Sequence, residues 1–214
     1  MLEARLTQNE VIQSYSGKAG IYDLWAALTE SRARNIALAV AQPKNGEAIL
    51  EVAVGTGLMF RELVKRNPKG KTYGIDLTPA MLAKAQQKIA AFSEHDVELS
   101  VGDAFHLDFA DESVDLLVNN YMFDLMPEAE FLNLLKEFKR VLKPNGRLLL
   151  VNMAQKQKWY QGFWEQVYRL NPNWMGGCRG VSMQAYMEQA GFQNIQLQRV
   201  SQLGFPSEIL LGYV

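Results

Sequence analysis

The strongest constraint in this sequence is a series of short apolar runs that do not alternate with polar residues. Ala48–Val54 and Arg147–Met153 are of this kind, as expected of strands buried on both faces. Lys71–Asp76, Val97–Val101 and Val114–Asn119 read as further strands. Helical spacing fills the intervals at 58–66, 79–92 and 128–142. Asn67-Pro68-Lys69-Gly70 and Lys143-Pro144-Asn145-Gly146 stop two of these helices. Pro79 opens another at the position proline tolerates best, with Thr78 as its N-cap. Helices over 159–170 and 182–190 precede strands over 193–200 and 208–213. Strands that alternate with helices predict an α/β fold, a mostly parallel sheet with helices on both faces. Only Ser201–Ser207 separates the last two strands, too little for a crossover helix, so the last strand is expected to turn back antiparallel at one edge.

Ahead of this pattern, residues 4–14 suit a short helix and 19–41 a longer one in two pieces, ended by Gln42–Gly46. No repeat or linker interrupts the chain. Residues 1–214 therefore read as a single domain: a helical lead over 1–45, a core over 46–155, and later helices with the closing hairpin over 156–214. The net charge of −1 gives no long-range pull toward nucleic acid. Cys178 is the one cysteine, which excludes an internal disulfide and a zinc site of several cysteines, and no metal is expected. The first 20 residues are too polar for a signal peptide, and no apolar run approaches the roughly 20 residues that span a bilayer. The expected location is the cytoplasm, with transient contact at a membrane surface left open. Oligomeric state cannot be read from the sequence.

The first strand runs into Gly55-Thr56-Gly57 at the start of a helix. In such sheets ligands bind at the carboxyl ends of strands, and glycine lets a ligand lie against the main chain. A plain tight turn would use the same residues. The next strand ends in Asp76, 19 residues past Gly57, the spacing at which a carboxylate grips ribose hydroxyls. The dinucleotide fingerprint is incomplete, because Phe60 stands where its third glycine belongs, and no phosphate-loop lysine follows. Glu51, four residues before Gly55, suits an ammonium-bearing ligand and repels pyrophosphate. S-adenosylmethionine (SAM) has an ammonium, a sulfonium, a ribose and an adenine, and no phosphate.

ILEVAVGTG resembles the first motif of the class I SAM-dependent methyltransferases, with Ala53 where many members have a glycine. YGIDLTPAML resembles their ribose segment, VGDAFHLDFADESVDLLVNN their adenine segment and following strand, and FKRVLKPNGRLLLVNM the strand after it. The resemblance covers residues 48–153 and implies a Rossmann-like seven-stranded sheet, SAM as cofactor and a helical lid at the N-terminus. It places Glu51, Ala53, Gly55, Thr56 and Gly57 around the methionine end. Asp76 falls on the ribose, with Leu77 and Met81 against the adenine. Asp103, Ala104 and Phe105 fall beside the adenine amine, and Asn119, Asn120 and Tyr121 below the sulfonium. Tyr15 and Tyr22 of the lead would cover the sulfonium with aromatic faces, or simply pack a helix on the sheet.

Methyl transfer from a sulfonium needs an aligned acceptor more than it needs acid–base help. The candidates for proton transfer or acceptor orientation are Asp124, Tyr121 and His106; Asp124 can equally cap the helix after it. His95 falls in a polar turn and is expected to be solvated. Trp159, Phe163, Trp164, Trp174, Cys178 and Arg179 form either a wall of the acceptor pocket or ordinary core. The nearest pattern is the ubiquinone/menaquinone C-methyltransferase branch, from which the chain departs at Asn152, where that branch carries glutamate. An arsenite methyltransferase needs several cysteines, and a nucleic-acid amino-methyltransferase needs a proline-aromatic motif that Asn119-Asn120-Tyr121-Met122 does not supply. The expected acceptor is a small hydrophobic molecule. The competing readings are a nicotinamide-dependent oxidoreductase and a non-catalytic SAM-binding subunit.

Overall fold

The computed structural model describes residues 23–155, 162–171 and 177–214. The helix expected over 4–14, Tyr15, Tyr22, Trp159 and Trp174 lie outside the described residues. The long helical lead is in two pieces, α1 over 23–29 and α2 over Ser31–Ala41, broken by a turn at Glu30. The chain then alternates: β1 (Ala48–Val52), α3 (Leu58–Arg66), β2 (Lys71–Asp76), α4 (Pro79–Ile89), β3 (Asp96–Val101), β4 (Val114–Asn120), α5 (Phe131–Val141) and β5 (Leu142–Met153). It closes with α6 (Gly162–Leu170), α7 (Gln184–Gln189), β6 (Gln193–Gln202) and β7 (Phe205–Tyr213).

The seven strands lie in the order β3-β2-β1-β4-β5-β7-β6. All run parallel except β7, which is antiparallel to both β5 and β6. The order reverses between β1 and β4, so the crevice of such a sheet opens above their carboxyl ends. Side chains of β5 alternate between two cores. Leu148 and Leu150 pack with Leu134, Leu135 and Phe138 of α5 and Met187 of α7. Leu149 and Val151 pack with Ala33, Ala37 and Leu38 of α2, Met59 of α3 and Tyr168 of α6. From Gly146 to Met153 neither face of β5 is left to solvent, which is why that run does not alternate.

Three details depart from expectation. A 3₁₀ turn over Glu128–Glu130 precedes α5, the short form common at helix starts. Lys143–Gly146 do not separate helix from strand but lie within β5, where the pairing with β4 slips between Val114 and Leu116 and Asn145 turns left-handed at φ 64°. The loop before β7 is two residues rather than seven. Leu203 and Gly204 both have positive φ (49° and 77°), the backbone twist that suits a tight hairpin, and β6 and β7 extend into the rest. Among the described residues, no helix is long and apolar enough to cross a membrane, and no group of three or more His, Cys, Asp or Glu could hold a metal.

Candidate functional site

After β1 the chain turns left-handed three times in five residues, at Ala53 (φ 61°), Gly55 (φ 56°) and Gly57 (φ 85°). The two glycines are needed for different reasons. A Cβ on Gly57 would sit 2.7 Å from Ala85 Cα, so that glycine lets the turn press against α4. A Cβ on Gly55 would meet nothing within 4 Å, so that backbone faces open space. Ala53 holds a conformation that costs an L-residue about 1 kcal/mol.

Asp76 at the end of β2 organises this turn. Its Oδ2 accepts from the Gly55 amide (2.7 Å) and its Oδ1 from the Thr78 amide (2.8 Å). Thr78 makes no side-chain cap to α4, so the capping expected of it is replaced by the carboxylate's bond to its amide. Burial pushes the Asp76 carboxyl up, and the Thr78 and Gly55 amides draw it part of the way back. A carboxylate has about four lone-pair sites, so both oxygens can still accept from a diol. Leu77 beside it is half-buried and Met81 is buried. The Thr56 hydroxyl is already engaged, donating to Asp23 Oδ1 (2.6 Å), while Lys88 donates to Asp23 Oδ2 (2.7 Å). Asp23 thus ties α1 to the glycine turn and to α4.

A cavity of about 60 Å³ lies over the turn, with Glu51, Ala53, Gly55, Asn120, Tyr121 and Arg34 in its wall. That is room for a few water-sized groups. Glu51 is fully buried there. Its Oε1 accepts from Asn120 Nδ2 (3.1 Å), and its Oε2 has no partner. Burial holds its carboxyl well above the usual range; Asn120 and Arg34 pull it down and Asp76 pushes it up. A buried carboxyl with an orphaned oxygen, beside a backbone open at Gly55, fits the ammonium end of SAM. Arg34 escaped the sequence reading; its one signal was a cation within the helical lead.

The end of β3 lies beside Asp76, with the Gly102 amide donating to the Asp76 carbonyl (3.2 Å). Asp103, Ala104 and Phe105 are half-buried there. Asp103 Oδ1 accepts from the Phe105 amide (3.0 Å), so it braces its own loop. His106 is exposed. His95 is not simply solvated: it is half-buried, with Nδ1 3.1 Å from the Val64 carbonyl oxygen. Asn119 is buried and donates to the Val52 carbonyl (2.9 Å), joining β4 to β1. Tyr121 turns left-handed (φ 50°), and its hydroxyl is 2.9 Å from Ser207 Oγ. Asp124 caps no helix: it is fully buried, and its Oδ2 accepts from the Met153 amide (3.2 Å). Burial raises its carboxyl to about 7 against the pull of the Met153 amide, Arg179 and Cys178.

The aromatic segment divides. Phe163 is exposed, and Trp164 packs edge-on against Trp25 (5.3 Å) and Phe205 (5.7 Å). Cys178 and Arg179 are buried, Arg179 lying 5.8 Å from the Phe131 ring centroid.

Comparison with known proteins adds to this geometry. The methyltransferase domain family matches residues 49–146. The demethylmenaquinone methyltransferase of Lactobacillus johnsonii is 32% identical over 180 residues, covering 74% of this chain and 72% of that protein. The arsenite methyltransferase of Halobacterium salinarum is 30% identical over 158 residues, 71% of this chain but 39% of that protein. For other demethylmenaquinone methyltransferases, too, the match spans only about half of the relative's length. Among solved structures, the [4+2]-cyclase SpnF superposes with a TM-score of 0.76 over 100% of this chain and 98% of that one, at 16% identity. At that identity the likeness concerns the fold alone.

Proposed function

The chain belongs to the class I SAM-dependent methyltransferases, and from that premise we propose that it binds SAM over β1 and β4 and passes the methyl group to a small hydrophobic acceptor. The observation that carries this reading is the pairing of two carboxyls across one glycine turn. The orphaned Glu51 Oε2 takes the ammonium, and Asp76, already bonded to the turn, takes the ribose hydroxyls. A pyrophosphate would meet a buried carboxyl instead, which disfavours a nicotinamide dinucleotide. Ala53, Gly55 and Gly57 present backbone along the methionine chain, with Thr56 anchoring the turn to Asp23. Leu77 and Met81 pack on the adenine, and Asp103, with Ala104 and Phe105, borders its amine. Asn119, Asn120 and Tyr121 flank the sulfonium.

Bound SAM supplies a methyl group that is already activated. The chain's part is to hold an acceptor in line behind that methyl and to keep water out, an arrangement that contributes about 7–11 kcal/mol when well aligned. The relatives named above take very different acceptors. With Cys178 as its one cysteine, this chain lacks the several thiols expected for arsenite chemistry. A quinone precursor, a lipid or another small hydrophobic metabolite, met in the cytoplasm, is the acceptor class this reading favours.

Titration calorimetry with S-adenosylhomocysteine (SAH) and with NADH tests the proposal. Heat is expected from SAH and none from NADH. Asp76→Ala removes a charged hydrogen-bond acceptor worth about 1.5–3 kcal/mol, so SAH affinity is expected to fall at least about tenfold. Wild-type protein that binds NADH and ignores SAH would overturn the assignment. Methyl-labelled SAM with fractionated cell extract then separates activity from a non-catalytic binding role: label in the organic phase is expected, and no labelled product from any fraction would favour a binding subunit.

A further inference from the structure

A second cavity, of about 350 Å³, opens at the opposite end of the sheet from the glycine turn. That volume falls within the roughly 300–1,000 Å³ of pockets that hold small molecules. It lies between the last turn of α2, the amino ends of β1, β4 and β5, and the carboxyl end of β7. A slip in the sheet shapes it. Between the pairs Val114↔Leu142 and Leu116↔Arg147 the chain advances five residues along β5 and only two along β4. Lys143, Pro144, Asn145 and Gly146 therefore have no partners in β4, and they form one wall of the cavity. Asn145 turns left-handed in that wall (φ 64°), and so does Gln42 at the end of α2 (φ 45°).

The charged lining is uneven. Lys44, Lys143 and Arg147 stand against Glu47 and Asp115, three cations to two carboxylates. Each carboxylate is fixed at one oxygen. Asp115 Oδ2 accepts from Lys143 Nζ (2.8 Å) and from the Ala48 amide (2.8 Å). Glu47 Oε2 accepts from Arg147 Nη2 (2.6 Å) and from the Lys44 amide (2.8 Å). Two cations are thereby matched, and the Lys44 ammonium has no acidic partner among the described residues. Arg147 keeps donors to spare, because a guanidinium carries five N–H groups and Glu47 engages only Nη2. With Arg147 only 8% exposed, those donors have few water partners of their own. The second carboxylate oxygens, Glu47 Oε1 and Asp115 Oδ1, accept from nothing among the described residues. The cavity thus offers a cationic end, free acceptors beside it, and the polar side chains of Gln42, Asn145 and Tyr213 around the rest.

We propose that this cavity is a second ligand site, which takes a small oxyanion bearing hydroxyl groups, the chemistry shared by hydroxy acids and by the phosphates of small polyols. Arg147 and Lys44 hold the oxyanion, since the planar guanidinium fork matches the paired oxygens of a carboxylate or a phosphate. Glu47 Oε1 and Asp115 Oδ1 accept from the hydroxyls. The two carboxylates also make the site selective. An anion without hydroxyls lies against them with nothing to donate, and a neutral polyol leaves the Lys44 charge unmatched. The lining carries one positive charge in excess, which favours a head of one negative charge. The site is separate from the cofactor crevice: β1, five residues long, lies between Ala48 and the glycine turn, roughly 17 Å of strand. Both ligands therefore bind at once, and this inference does not rest on the methyl-transfer reading.

Four matched probes decide it: glycerate, glycerol phosphate, glycerol (hydroxyls without charge) and propionate (charge without hydroxyls). Each is titrated into the full chain at constant ionic strength, with and without SAH, and followed by amide NMR. Glycerate and glycerol phosphate are expected to shift the Lys44, Ala48 and Arg147 amides and to leave those of Gly55 and Thr78 in place. Glycerate is expected to bind about tenfold more tightly than glycerol or propionate. Glycerol phosphate seated on the same amides supports the site equally, and the tighter of the two anions names the head group. Saturating SAH should change these affinities by less than about twofold, as for sites that share no partner. Lys44→Met removes an ammonium that pairs with nothing, so it is expected to melt with the wild type and to bind glycerate about tenfold more weakly. Arg147→Lys keeps the charge facing Glu47 but loses the fork, and it is expected to weaken glycerate in the same direction. Glycerate and glycerol phosphate no tighter than glycerol and propionate would overturn the proposal. So would glycerate binding unchanged in Lys44→Met, or glycerate displaced by SAH, which would put the anion in the cofactor crevice.

Discussion

Glu51 shows what one residue contributes beyond its position in a motif. An acidic residue four before the first glycine is visible in the sequence; that it would be buried and half-bonded, its carboxyl raised by that burial, is not, because only the fold brings Asn120 from β4 and Arg34 from α2 to it. Burial holds its carboxyl well above the usual range. A bound ammonium favours the charged form and lowers it again, so cofactor binding shifts Glu51 toward proton release. Titrations of SAH at pH 7 in two buffers of different ionisation enthalpy are therefore expected to give different heats, with net proton release. Glu51→Gln should abolish the buffer dependence and weaken binding. Equal heats in both buffers for the wild type would count against the ammonium being seated on Glu51.

At the scale of elements, the glycine turn is locked by α4. Gly57→Ala adds a Cβ 2.7 Å from Ala85 Cα and also strains a φ of 85°. The clash and the strained φ together are expected to cost about 2–4 kcal/mol. Gly55→Ala meets only the strain and is expected to cost about 1 kcal/mol. Urea midpoints of the two variants check the difference in order and size. The same contrast bears on what could be read from the sequence. The alternation of elements, the closing hairpin and the placing of the glycine turn and of Asp76 at the ends of β1 and β2 were legible because each rests on local periodicity or a fixed spacing. The span of β5 was not, because a Pro-Asn-Gly run ordinarily ends an element and here sits inside a slipped ladder. The facing pair of Asn152 and Glu208 was not legible either. A lone glutamate in a late strand reads as a solvent-facing residue, and only the antiparallel register of β7 against β5 turns it inward opposite Asn152.

For the molecule as a whole, buried acids shape the pH dependence of stability. Asp124 and Glu208 are both raised to about 7, chiefly by burial, from ordinary values near 4. The folded chain therefore keeps protons that the unfolded chain gives up between about pH 4 and pH 7. Their contribution is fully present below the unfolded values and is lost as pH rises through 7. Glu51 and Asp76 are raised in the same direction. Asp23 and Asp115 are lowered, by partners including Lys88 and Lys143, and cost stability only as pH falls through the acid range. The melting temperature is expected to rise as pH drops from 8 to about 4 and then to fall. Asp124→Asn should flatten the upper part of that curve, and a wild-type profile level from pH 5.5 to 8 would contradict it.

The reversed strand β7 has one more consequence. It fills the slot between β5 and β6, yet both precede it along the chain. While the polypeptide is being synthesised, the strands that frame the donor emerge and can pair first, and β5 waits with a bare edge. Glu208 arrives only when β7 threads into that gap. A nascent chain thus can assemble the strands of the glycine turn before it closes the far side of the sheet.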